Sequence, residues 1–85
     1  MEHEVKVLDK LLNHKIFLDQ VPGIRGVDVR EYGKSVDVVF FFDEGFSYDD
    51  YRLIKEDAFR AVFELAKMAG INSLNLLGSE IKELN

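Results

Sequence analysis

The chain has 85 residues, no cysteine and a formal net charge of −5 from 16 acidic and 11 basic residues. This length supports one hydrophobic core and predicts a single domain over residues 1–85. Acidic residues outnumber basic ones and there is no basic cluster, which argues against nucleic-acid binding, because that needs positive charge against the phosphates. The longest apolar run, residues 38–42, is far shorter than the roughly 20 residues of a membrane-spanning helix, and acidic residues at positions 2, 4 and 9 interrupt any apolar leader, so we expect a soluble protein without a signal peptide.

The first predicted element is an amphipathic helix over residues 2–14. Val5, Leu8 and Leu12 follow the three-and-four spacing of a helix face. The polar residues at 13–15 predict fraying, and we expect the short apolar cluster at 16–18 to tuck under the domain as a coil or a last helical turn. Pro22, in the only Pro/Gly-rich stretch, predicts a loop.

Two strands are predicted next, at residues 26–32 and 36–42, because apolar residues alternate along both. Gly33 lies in the short connection and is free to adopt a positive φ, so the strands should form an antiparallel hairpin. The alternation divides the second strand into two faces. One face carries Val36, Val38, Phe40 and Phe42, and the other carries Asp37, Val39 and Phe41.

The longest periodic segment predicts a helix over residues 47–69. Ser47 is a suitable N-cap, Asp49 and Asp50 place negative charge at the positive end of the helix dipole, and Gly70 suits a left-handed C-terminal cap. One broad apolar stripe should face the sheet; it consists of Tyr51, Ile54, Ala58, Ala61, Val62, Leu65 and Ala69. A third strand is predicted at residues 72–77.

The predicted order α-β-β-α-β gives an α+β fold of the ferredoxin-like kind. Two helices should cover one face of a small three-stranded sheet as a two-layer sandwich. The pattern leaves two positions open for the third strand: beside the second strand after a right-handed crossover, or elsewhere in a split arrangement.

Residues that carry chemistry are few, and their spacing is uninformative. His3 and His14 would lie about 16 Å apart on one helix, too far to share a metal ion. The acidic pairs at 43–44 and 49–50 lack the spacing of a calcium loop, and no serine lies in a recognisable nucleophile turn. The GIRG sequence at 23–26 matches the GxxG of KH modules, but a strand follows it where a helix is required. We therefore expect no enzyme, cofactor, metal or nucleic-acid site.

Apolar residues on expected outer surfaces suggest a different role. Phe59 and Phe63 are spaced i, i+4 on the long helix, beyond the stripe that faces the sheet, and either pack against the first helix or make a homotypic contact. On the sheet face opposite the helices, Val39, Phe41 and Leu77 lie beside Tyr32 and predict an apolar patch of the kind that marks interfaces. These six residues form the candidate interface, and we expect a homo-oligomer.

Several segments together resemble the C-terminal cytoplasmic α/β domain of the small-conductance mechanosensitive channel (MscS) family: LLNH at 11–14, VREYGKSVDV at 29–38, YDDY at 48–51, KED at 55–57 and AGI at 69–71. The chain departs from that family in having only Ser35 in the turn and no proline after AGI. The resemblance implies a cytoplasmic assembly module that joins subunits or forms part of a cage wall and does not itself conduct ions.

A second resemblance lies in VPGIRGV at 21–27 and FDEGFS at 42–47, which are similar to the C-terminal domain of cation diffusion facilitators. That family implies a metal-responsive dimerisation module, although the terminal strand here lacks its His/Asp ligands. The alkaline-shock protein group is similar in topology, and a free-standing small α+β protein is a further alternative. The three family resemblances all imply a cytoplasmic oligomerisation module, whereas the free-standing protein would have an unknown role.

Overall fold

The computed structural model describes residues 2–76, and these form an α+β fold of six elements. They are α1 (Glu2–Leu12), α2 (Lys15–Gln20), β1 (Ile24–Tyr32), β2 (Ser35–Phe42), α3 (Tyr48–Met68) and β3 (Leu74–Leu76). The predicted class, a two-layer sandwich with helices on one face of a three-stranded sheet, is confirmed.

The sheet has the order β1-β2-β3, with β2 in the centre. β1 and β2 form the predicted antiparallel hairpin, in which Val29 lies opposite Val38. β3 runs parallel to β2 and places Leu76 beside Val38. Parallel neighbours need a long crossover, which α3 supplies. Of the two positions left open by the sequence, the third strand therefore takes the one beside the second.

β1 begins two residues earlier than predicted because a bulge interrupts its alternation. The register shifts between Ile24 and Gly26. A bulge adds one residue to a strand, so two side chains that point inward can be an odd number of positions apart. Ile24 and Val27 have this spacing, and both are buried. The simple period-two pattern is therefore visible only after the bulge.

The core lies between the helices and the inward face of β2. Val36, Val38, Phe40 and Phe42 are buried there, as the alternation predicts, together with side chains from all three helices. Tyr51 of α3 lies against two of these rings, with centroid distances of 5.9 Å to Phe40 and 5.2 Å to Phe42. The long helix is thus anchored on the central strand.

The ends of α3 follow the predicted signals. The Ser47 hydroxyl accepts the N–H of Asp50 at 3.1 Å, and the Asp50 carboxylate accepts the N–H of Ser47 at 2.9 Å, so the two residues form a capping box. Gly70, just beyond the helix, has a φ of 86°, the left-handed conformation that glycine adopts without a steric penalty.

The N-terminal helix differs from the prediction, because it ends at Leu12 and a second short helix follows. The Asn13 side chain bonds to the backbone of Val27 in β1. The ring Nδ1 of His14 then accepts the N–H of Ile16 at 3.1 Å and caps α2. The segment at 16–18, expected as coil or a last turn, is therefore helical, with Phe17 buried and Ile16 exposed.

Candidate functional site

Within residues 2–76, the outer face of the sheet presents only part of the predicted apolar patch. Val39 is fully buried, with 0% of its surface exposed, so its assignment to an exposed interface is wrong. Phe41 is half-buried and Tyr32 is 74% exposed, while position 77 lies outside the described residues. Alternation along a strand predicts which face a residue occupies, but not what covers it.

Polar contacts occupy much of the same outer face. Arg30 donates to the Asp28 carboxylate at 2.7 Å. The amide of Asn75 donates to the Ser35 hydroxyl and to the Asp37 carboxylate, both at 3.1 Å. The Asn75 bonds tie β3 to β2 on that side, whereas the Arg30–Asp28 pair lies within β1. These polar groups interrupt the apolar surface expected there.

The two phenylalanines of α3, Phe59 and Phe63, are both exposed. Phe59 is 40% and Phe63 37% exposed. Their rings are nearly parallel, with an interplanar angle of 13° and a centroid distance of 6.1 Å. The Lys67 ammonium lies 5.0 Å from the centroid of the Phe63 ring, within cation–π range. The pair is therefore an ordered aromatic feature on the outside of the helix.

These rings lie on the β3 side of α3, away from α1. They line an open groove of about 590 Å³ together with Lys55, Glu56, Arg60 and Leu76, and neither ring belongs to the core or to the side chains packed against it. The alternative in which Phe59 and Phe63 pack on the first helix does not hold. We call this feature the α3–β3 groove.

Charged residues of alternating sign border the two rings. Glu56, Arg60, Glu64 and Lys67 are all exposed. Within residues 2–76 none of the four forms an ion pair, whereas Asp49 and Arg52, one turn earlier, lie 3.8 Å apart. Together with the two phenylalanines, these four residues make up what we call the outer α3 surface.

A second apolar groove, not predicted from the sequence, runs between α2 and α3. It has a volume of about 430 Å³, and its most exposed apolar residues are Ile16 at 67% and Met68 at 79%. Leu65 and His14 also contribute to its lining. The groove depends on α2 being a helix, and the only sequence signal for that was the apolar cluster at 16–18.

The titratable groups do not converge on a site. Bonds from the backbone N–H and the hydroxyl of Ser47 lower the pKa of Asp50. Burial raises the pKa of Tyr51 to about 12, and its hydroxyl has no hydrogen-bond partner. Neither residue lines one of the two grooves described above. Both shifts have a local structural cause, a helix cap and a buried phenol.

The two histidines lie in different places. His14 caps α2, and exposed His3 lines a shallow depression with Lys6 and Asp28. Over residues 2–76 no three His, Cys, Asp or Glu side chains are grouped so as to hold a metal ion. No helix in the same range has the length and apolar character needed to cross a bilayer.

Comparison with known proteins found no matching family model, curated protein or solved structure. The resemblances to the channel and transporter domains therefore stay predictions.

Proposed function

We propose that this chain is a non-enzymatic assembly module that joins subunits through the outer α3 surface. The observation that carries the proposal is the exposed, stacked pair of Phe59 and Phe63 beside Leu76. Aromatic side chains and arginine are enriched at protein interfaces, and aromatic rings bury a large area with only two side-chain torsions to fix.

The surroundings of the pair support a protein partner. The α3–β3 groove is open and shallow, and its rim is charged at Lys55, Glu56 and Arg60. An apolar centre with a polar rim is the usual anatomy of a protein interface. Small-molecule sites, by contrast, enclose most of the ligand surface.

The sheet edge at β1 is a less suitable joining surface. Exposed strand edges recruit other strands unless they are blocked, and Asn13 occupies both backbone groups of Val27 on that edge. Assembly through α3 leaves this protection intact.

As to setting, we propose a cytoplasmic module that associates with copies of itself, in the manner implied by the resemblance to the channel C-terminal domain. A surface of one helix is at the small end of specific interfaces, so the association should be concentration-dependent. Attachment to a larger assembly would strengthen it by raising the effective concentration.

Sedimentation equilibrium at protein concentrations up to about 1 mM, where even weak pairs are populated, tests the proposal. We expect the average mass to rise with concentration for the wild-type chain and to stay monomeric for Phe59→Ser/Phe63→Ser. The matched control is Leu53→Ser, which removes an 84% exposed apolar residue from the same helix and should associate like wild type. A wild-type chain that is monomeric throughout would refute the proposal.

A further inference from the structure

The outer α3 surface has an internal order that bears on which partner it fits. Successive residues of a helix are about 100° apart, so Phe59 and Phe63 form one strip. Arg60 and Glu64 each follow a phenylalanine and form a second strip about 100° further round. Glu56 and Lys67 lie between the strips, toward the two ends of the surface.

Each of these pairs is centred at almost the same height on the helix. The midpoint of Phe59 and Phe63 is at residue 61, that of Arg60 and Glu64 is at residue 62, and that of Glu56 and Lys67 lies between them. In each charged pair the two signs are opposite. If a second copy of α3 is placed antiparallel to the first, with residues 61 and 62 of both copies at the same height, each of the four charged residues faces one of opposite sign.

We propose that two copies of this chain pair antiparallel along α3, with a two-fold axis beside residues 61 and 62. This rests on the assembly role proposed above and specifies its partner and register. Phe59 of each copy meets Phe63 of the other, which forms a cluster of four rings. Arg60 meets Glu64, and Glu56 meets Lys67, each twice because the contact is isologous.

Charge selects this arrangement over its alternatives. In a parallel two-fold pair each residue lies at the same height as its own copy. Glu56 and Lys67, which lie between the strips, would then each face a like charge, and the strip of Arg60 and Glu64 would lie opposite the phenylalanine strip of the other copy. Moving the antiparallel axis to residue 60 would set Glu56 against Glu64. Opposed like charges disfavour both of these alternatives.

The charged residues are available for these contacts. Within residues 2–76, Glu56, Arg60, Glu64 and Lys67 form no ion pair, and the Lys67 ammonium lies over the ring face of Phe63. New pairs between copies would not have to break existing ones. Because they are solvent-exposed, added salt should weaken the dimer, since the screening length falls to about 8 Å at physiological ionic strength.

Charge reversal at one pair tests the register. Arg60→Glu places two Glu–Glu contacts in its homodimer, and Glu64→Arg places two Arg–Arg contacts, so each variant alone should dimerise at least about tenfold more weakly than wild type. An equimolar mixture of the two variants restores opposite charges at both contacts. It should form a heterodimer near wild-type strength, as should the homodimer of the double variant Arg60→Glu/Glu64→Arg.

Glu56→Lys and Lys67→Glu form a second, independent swap, for use if a variant of the first pair loses its fold by circular dichroism. Mixing is read by sedimentation equilibrium with one partner fluorescently labelled. If Phe59→Ser/Phe63→Ser abolishes association but neither mixture recovers it, the register is overturned while the assembly role stands. If wild type does not associate at all, both proposals fail.

Discussion

Asn13 closes the free edge of β1 by pairing with the backbone of Val27 through both ends of its side-chain amide. Its Nδ2 donates to the Val27 carbonyl at 2.8 Å, and its Oδ1 accepts the Val27 N–H at 2.9 Å. The same side chain ends α1, because Nδ2 also donates to the carbonyl of Asp9 at 3.0 Å. One residue thus terminates a helix and protects a strand.

Replacement of Asn13 by alanine should therefore lower the free energy of unfolding by about 1–3 kcal/mol, since the side-chain hydrogen bonds to Val27 and Asp9 are lost. Urea denaturation followed by circular dichroism measures it. Asn72→Ala, at an exposed asparagine with no side-chain role in the described hydrogen bonds, should change stability by less than about 0.5 kcal/mol. Equal effects of the two substitutions would show that the edge contact contributes nothing.

Gly23 should not tolerate a side chain. Its φ is 99°, and a β-carbon there would collide with the ring of Phe46. That ring packs edge-on against Phe42 at 5.2 Å. We expect Gly23→Ala to cost more than about 2 kcal/mol, because the left-handed conformation alone costs about 1–2 kcal/mol.

Gly45→Ala provides the matched comparison, with a φ of 84° and open space at its β-carbon. It carries the backbone strain without the collision, so it should be the milder of the two in thermal denaturation. A Gly45 variant as unstable as the Gly23 variant would mean that the Phe46 contact is unimportant.

The hydroxyl of Tyr51 is buried without a partner, so its removal should help. Leaving a polar group unsatisfied in the interior costs about 1–3 kcal/mol, and Tyr51→Phe should raise the free energy of unfolding by about 1 kcal/mol. A destabilised phenylalanine variant would show instead that the hydroxyl makes a favourable contact.

The same residue predicts a pH dependence. Burial raises the pKa of Tyr51 from 10.0 to about 12, so the native state keeps a proton that the unfolded state releases. The contribution of the protonated phenol to native-state stability is complete below pH 10 and is lost as the pH rises toward 12. Denaturant titrations across this window should show wild type losing more stability than Tyr51→Phe, and parallel curves would contradict the assignment.

The capping box predicts a change in the opposite pH range. Ser47→Ala should cost about 1 kcal/mol of stability at neutral pH, whereas Ser73→Ala, outside any helix, should be near neutral. The bonds from Ser47 lower the pKa of Asp50, so their contribution is present above the ordinary value of 3.8 and is lost as the pH falls through the lowered one. On acidification through this pH range, the Ser47→Ala variant should therefore lose less of its free energy of unfolding than wild type does.

The parts of the fold that were predictable are those set by neighbours in sequence. The hairpin follows from alternation on either side of Gly33, and the limits of α3 follow from Ser47 and Gly70. The end of α1 was not predictable, because Asn13 bonds to a residue 14 positions away. The start of β1 was also not predictable, because the bulge before Gly26 interrupts the alternation of apolar and polar residues from which the strand was predicted.

The candidate surface was predicted in part. Helical spacing placed Phe59 and Phe63 outside the stripe that faces the sheet, but it left open whether the first helix covers them. Their neighbour Leu76 depended on the strand order, which the pattern left open. Val39 was misassigned because a strand residue facing away from the helices is not thereby exposed.

A dilution series of the ¹⁵N-labelled protein, monitored by amide chemical shifts, shows directly whether copies of the chain meet through the outer α3 surface. We expect concentration-dependent shifts on residues 56–67 and near Leu76, and we expect these shifts to vanish in Phe59→Ser/Phe63→Ser. Shifts that instead map to the edge of β1 or to the groove beside Ile16, or spectra that do not change with concentration, would contradict it.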